Sequence, residues 1–220
     1  MSIADNLSSI KATLPDHVTL VAVSKTKPVA DLKEAYDAGQ RIFGENKIQE
    51  MTEKWEQLPK NIQWHMIGHV QTNKVKYMAP YVSLIHGVDS LKLLTEINRQ
   101  AARYRKTINC LLQIHIAEEE TKFGLSEEEL NILLNSDEFK QMQNICIKGI
   151  MGMATFTEDE AQIKKEFTHL KTIFNHLREQ PQTTNFKPET LSMGMSGDYK
   201  IAVDCGSTMV RIGSSIFGSR

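Results

Sequence analysis

The chain is 220 residues long, with 26 Lys and Arg against 27 Asp and Glu for a net charge of -1, and 40% of its residues are hydrophobic. That balance excludes the basic excess of a dedicated nucleic-acid binder, and no apolar run approaches the roughly 20 residues needed to cross a bilayer. The opening Met1-Ser-Ile-Ala-Asp-Asn6 lacks a secretory signal, and Cys110, Cys146 and Cys205 form no CxxC pair, which reads as buried thiols in a reducing, cytoplasmic setting.

In chain order, β-type runs alternate with segments of helical period. Residues 18–24 are the first run, and Pro28 and Gly39 bracket the helix after it, as suits a helix start and stop. Residues 42–44 are a second strand, and its helix carries Ile48, Met51, Trp55 and Leu58 on one face. Residues 62–67 alternate at period two, as a strand does. A helix over 72–78 leads to a strand at 82–86, and Ser90 opens a helix with Leu94, Ile97, Ala101 and Tyr104 at helical spacing. Residues 108–116 are the fifth strand. Ser126 with Glu129 forms a capping box, each side chain satisfying a backbone N–H, and the acidic run 118–120 before it reads as a solvated loop. Residues 146–151 are the sixth strand, and Thr157 with Glu160 reads as a second capping box, opening a helix with the stripe Ile163, Phe167, Leu170, Phe174 and Leu177. The Pro and Thr content of 180–188 predicts a surface loop. Residues 191–193 and Met209–Ile212 are the last two strands, separated by a short helix that stops at Gly206.

Eight β-runs alternating with helices predict an α/β fold, a single closed (β/α)₈ barrel over 1–220. An open doubly wound sheet is the rival, but neither a G-x-G-x-x-G nor a Walker sequence is present. The active face of such barrels is the C-terminal end of the strands. There the chain offers Ser24-Lys25, Glu45-Asn46, His65, His86, His115, Met151 to Met153, Met193 to Ser196 and Arg211 to Ser214. Lys25 continues the face of Thr19, Val21 and Val23. A Lys there can form a Schiff base with a carbonyl, although a solvated loop Lys, like Lys27 beside it, is the competing reading. Arg211 is donor-only and needs an acceptor inside a barrel, either in an ion pair or from a ligand. Gly213-Ser214 resembles an anion-cradling turn, and Ser196 suits the N-cap of the next helix. His65 and His69 have HxxxH spacing, but Met66 and Gly68 speak against a zinc helix. The methionines at 151, 153, 193 and 195 read as core filler.

Val21-Ala-Val-Ser-Lys-Thr-Lys-Pro28, Phe43-Gly-Glu-Asn46, Trp64-His-Met-Ile-Gly68, Gln71-Thr-Asn-Lys74, Leu191-Ser-Met-Gly-Met-Ser196, Val210-Arg-Ile-Gly213 and Ile216-Phe-Gly218 together resemble the pyridoxal phosphate homeostasis protein family (the YggS/PROSC-like proteins) over nearly the whole chain. The resemblance implies a barrel like the N-terminal domain of alanine racemase, holding pyridoxal 5'-phosphate (PLP). Lys25 would carry PLP as a Schiff base, and Arg211 would face the pyridine nitrogen. Ser196, Gly213 and Ser214 would hold the phosphate, while Asn46, His65 and Met193 would line the ring. Ser214 stands where many members carry Thr, and His69 follows Gly68 where Pro is frequent. The implied role is storage, buffering or delivery of PLP, with transient contact to apo PLP enzymes and without established catalysis. A racemase using Lys25 as one base is the alternative. In the similar racemases the second base is a Tyr reached across a dimer with a further β-domain, which is not expected in a chain that stops at Arg220. A lone barrel of near-zero net charge is expected to be a monomer, with no nucleic-acid or membrane partner.

Overall fold

The computed structural model describes residues 2–118 and 123–218. Helix α1 (Ile3–Thr13) comes first, followed by β1 (Thr19–Val23), α2 (Val29–Asp37), β2 (Ile42–Glu45), α3 (Ile48–Gln57) and β3 (Gln63–Met66). A 3₁₀ turn (Thr72–Lys74) runs into α4 (Val75–Met78), then β4 (Val82–Val88), α5 (Leu91–Arg103) and β5 (Ile108–Gln113). The second half continues through α6 (Glu127–Asn135), α7 (Asp137–Lys140), β6 (Ile145–Met151), α8 (Glu160–Glu179), β7 (Phe186–Ser192), α9 (Tyr199–Asp204), β8 (Met209–Ile212) and α10 (Ser214–Phe217). The strands are parallel and close in the order β1 to β8, with β1 paired to both β2 and β8. This is the barrel that the alternation predicts. Among the described residues no helix is long and apolar enough to cross a membrane.

The two-residue period sorts the strand side chains into two cores. Val21, Leu84, Leu111, Met151 and Met209 fill the interior. Their neighbours Ala22, Ile85, Leu112, Ile150 and Val210 face outward and pack with the helices. Trp64, Phe43 and Phe167 are fully buried in that outer layer, where each contributes on the order of 1.5–3 kcal/mol by leaving water.

Four local expectations change. Helix α1 has no counterpart in the sequence reading; a capping box of Ser2 with Asp5 starts it, and the buried Leu7 anchors it. Helix α8 opens at Asp159, whose carboxylate accepts from the Ala161 and Gln162 N–H groups. The Thr157 hydroxyl only accepts from the Asp159 N–H, so Thr157 with Glu160 is not a capping box. The loop expected over 180–188 is shorter, because Phe186 and Pro188 are buried and already belong to β7. Proline is tolerated there because the β6–β7 register shifts between Ile147 and Gly149, where a ladder donor is dispensable. Strand β5 ends at Gln113, and Ile114 makes a separate bridge to Leu125. Residues 119 and 120 of the acidic run lie outside the described residues.

Candidate functional site

Four strands place buried polar side chains in the barrel interior, one layer above the apolar filling. His86 lies two residues beyond Leu84 and Arg211 two beyond Met209, so both inherit the inward face; His65 on β3 and Ser192 on β7 complete the layer. The four form one chain. His65 Nδ1 is 3.0 Å from His86 Nε2, His86 Nδ1 is 3.1 Å from Ser192 Oγ, and Arg211 Nη1 donates to Ser192 Oγ at 2.6 Å. Arg211 Nη2 donates to the Gly152 carbonyl at 3.2 Å. Burial pushes the His65 imidazole down to about 3, and burial, then the neighbouring His65 and Arg211, push His86 well below its ordinary value. Both rings are therefore neutral near pH 7. Arg211 is 4% exposed, and burial lowers its guanidinium to about 10 with a partial offset from Asp198. It remains a cation, and among the described residues no carboxylate lies within ion-pair distance of it.

Just past the end of β1, Ser24 turns outward to the helix layer, and half-buried Lys25 begins the turn that follows. The Ser24 hydroxyl donates to Glu45 Oε1 at 2.6 Å. Lys54 of α3, itself 5% exposed, spends all three of its donors here: on the Ser24 carbonyl, Glu45 Oε1 and Glu50 Oε1, each at 2.7 Å. Glu50 Oε1 also accepts the Thr26 N–H at 2.5 Å, with Thr26 at φ 64. Burial raises the Glu45 carboxyl above its ordinary value, opposed chiefly by Lys54. This cluster escaped the sequence reading, yet a signal existed. Lys54 sits three residues after Met51 and four before Leu58, which is the apolar stripe itself and no place for an unpaired ammonium.

The loops at the mouth pack backbone to backbone. A Cβ on Gly68 would lie 2.6 Å from the Asn46 carbonyl oxygen, and one on Gly87 would lie 2.7 Å from that of Gly68, so the backbones at half-buried Asn46, Gly68 and Gly87 stack closely. Ser196 does not cap α9. Its hydroxyl accepts the Gly213 N–H at 3.2 Å, while Asp198 occupies the cap position and accepts from the Met195 N–H. Ser196 and Gly213 are thus joined directly, with exposed Ser214 next, opening α10. Lys27 is no solvated comparator, because its Nζ donates to the Phe217 carbonyl at the far end of α10. Met193 packs in the outer core, whereas Met153 lies against the interior one. His69 turns away to Asp89 at 3.3 Å and stacks on Phe123, and no group of three metal-ligating side chains occurs among the described residues. Ser192 and His86 are the members of the interior chain that strand-end inspection did not connect, because their pairing spans 106 residues of sequence.

The family model for the alanine racemase N-terminal domain matches residues 1–220. A protein of Pasteurella multocida (strain Pm70), called a pyridoxal phosphate homeostasis protein, is 39% identical over 236 residues, covering 100% of this chain and 98% of its own. PipY of Synechococcus elongatus PCC7942 has been solved without PLP and with PLP bound; both forms are 34% identical and cover 99% of this chain and 100% of theirs, at TM-scores of 0.91 and 0.89. Alanine racemase from E. faecalis shares the fold at 17% identity and a TM-score of 0.77, with 99% of this chain matching 58% of that one.

Proposed function

The chain belongs to the pyridoxal phosphate homeostasis protein family, and from that premise we propose that the mouth of its barrel binds PLP and stores, buffers or delivers it, affecting amino-acid and keto-acid pools without efficient catalysis. One observation carries this reading: Arg211 is a buried guanidinium held, among the described residues, by two neutral oxygens. A donor-only cation so placed fits an uncharged acceptor, and a pyridine nitrogen is one. The other donors fit the rest of the molecule. Lys25 offers a primary amine, and Ser196, Gly213 and Ser214 offer hydroxyl and backbone N–H groups to a phosphate. Asn46, one residue past β2, and His65 of β3 would border the ring. The role implied for Met193 is narrower, since its side chain lies in the outer core and acts by packing behind the site.

When bound, PLP supplies an aldehyde that condenses reversibly with an amine and a ring that can draw electrons. Lys25 provides the amine. Arg211 keeps its proton near pH 7, so a ring nitrogen set against it would stay unprotonated and draw electrons weakly, which suits a carrier better than a carbanion catalyst. The protein is read as a cytoplasmic monomer, its three cysteines being free, and as meeting apo PLP enzymes transiently. The racemase alternative, with Lys25 as one base, gains nothing from the alanine racemase likeness at 17% identity, which concerns fold alone.

The purified protein incubated with PLP should turn yellow, and borohydride should fix the label on Lys25. A Lys25→Ala variant should stay colourless; full colour in that variant would move the attachment to another residue.

A further inference from the structure

The polar layer below Lys25 has a direction, because one end of it can only donate. Arg211 carries no acceptor, so Ser192 Oγ accepts from its Nη1 at 2.6 Å. The Ser192 proton then has one acceptor among the described residues, His86 Nδ1 at 3.1 Å. A neutral imidazole has a single N–H. With Nδ1 accepting, the His86 proton sits on Nε2 and is donated to His65 Nδ1 at 3.0 Å. His65 must accept there, which leaves its own proton on Nε2. The reverse polarity would make Ser192 Oγ accept from both neighbours and strand the hydroxyl proton in a fully buried position. His65 Nε2 has no partner among the described residues, although the ring is only 4% exposed.

We propose that Arg211, through Ser192, locks both histidines in the Nε2–H form, so that His65 presents a fixed donor at the mouth and reads an oxygen acceptor on the bound vitamer. Arg211, Ser192 and His86 are then positioning residues that act through His65, and His65 Nε2 is not available as a proton acceptor. The ligand half of the proposal rests on the PLP reading above; the tautomer half stands without it.

Long-range ¹⁵N–¹H correlation spectra of histidine-labelled protein, recorded before and after PLP is added, read both halves. Without ligand, Nδ1 of His65 and of His86 should both be unprotonated; an Nδ1–H on either ring overturns the lock. Arg211→Met removes the donor-only cation and should let both tautomers populate at His65, three hydrogen bonds away. Arg211→Lys keeps a donor-only cation and should restore the single form. A His65 signal unchanged by Arg211→Met overturns the lock as well. Once the visible absorption shows that PLP is loaded, the His65 Nε2–H should shift downfield. A loaded protein with an unmoved Nε2–H defeats the ligand half and leaves PLP binding intact. A protein that stays colourless defeats the PLP reading and the ligand half together, while the ligand-free spectra still decide the lock.

Discussion

The backbone on both sides of Lys25 is held by its neighbours. The carbonyl before it is held by Lys54, and the N–H after it by Glu50, so the peptide groups flanking its Cα belong to one buried ion cluster. Such a cluster is weak support for overall stability, because desolvating the charges offsets much of their attraction; removing one member is what costs. Lys54→Met would keep the apolar stem and strip the charge, leaving Glu45 fully buried with one oxygen bonded only to Ser24 and the other already without a partner. The expected loss is about 3–5 kcal/mol in urea unfolding, with part of it recovered when Glu45→Gln is added to remove the stranded carboxylate. A loss under about 1 kcal/mol would mean that the cluster is dispensable for folding, and its role in holding Lys25 would have to be abandoned.

The strands carry their own constraints, and β6 shows the sharpest. Gly149 has φ +145, and a Cβ placed on it would lie 1.8 Å from the Thr190 carbonyl oxygen, just where the β6–β7 register shifts. Gly149→Ala therefore meets a forbidden conformation and a backbone collision together, and a loss of at least about 3 kcal/mol in thermal or urea unfolding is expected. Much of this element level can be read in the sequence. All eight strands lie within the runs that alternation marks, or overlap them, and Met209–Ile212 matches to the residue. Where reading failed, the cause was not always tertiary. Helix α1 carried local signals, the Ser2–Asp5 capping box and the stripe Ile3, Leu7 and Ile10, and it also leans on α10 through Asn6, which donates to the Ile216 carbonyl; β7, by contrast, tolerates Pro188 only because its partner strand slips. The site divides likewise. Lys25, His65 and Arg211 stand at strand ends and are visible as residue types in the wrong company. The pairing of Ser192 with His86 is a contact across a closed barrel, and no local pattern in a single chain encodes it.

For the whole molecule, closing the barrel traps two neutral imidazoles, and this ties stability to pH. An unfolded chain protonates both histidines near 6.5, whereas the folded protein protonates His65 only near about 3 and His86 also far below its ordinary value. Below pH 6.5 the unfolded state binds more protons, so stability falls as pH falls, by about 1 kcal/mol per pH unit for each ring. Glu45, raised by burial, works the other way above 4.5, so the steepest loss lies below that value. Urea midpoints from pH 7 to 4 should show this slope, and His65→Asn with His86→Gln should flatten it. The same closure bears on catalysis. Racemisation needs one group to take a proton from Cα and another to return it on the opposite face. Lys25 can serve one face. His86 has both nitrogens engaged, and His65 accepts at Nδ1 and donates at Nε2, so neither is poised to take a proton. Solvent deuterium incorporation at Cα, measured over a panel of L- and D-amino acids with PLP loaded, should therefore be slow and without inversion. Fast exchange with inversion of any one of them, lost in Lys25→Ala, would make the protein an enzyme and require a second base outside the interior chain.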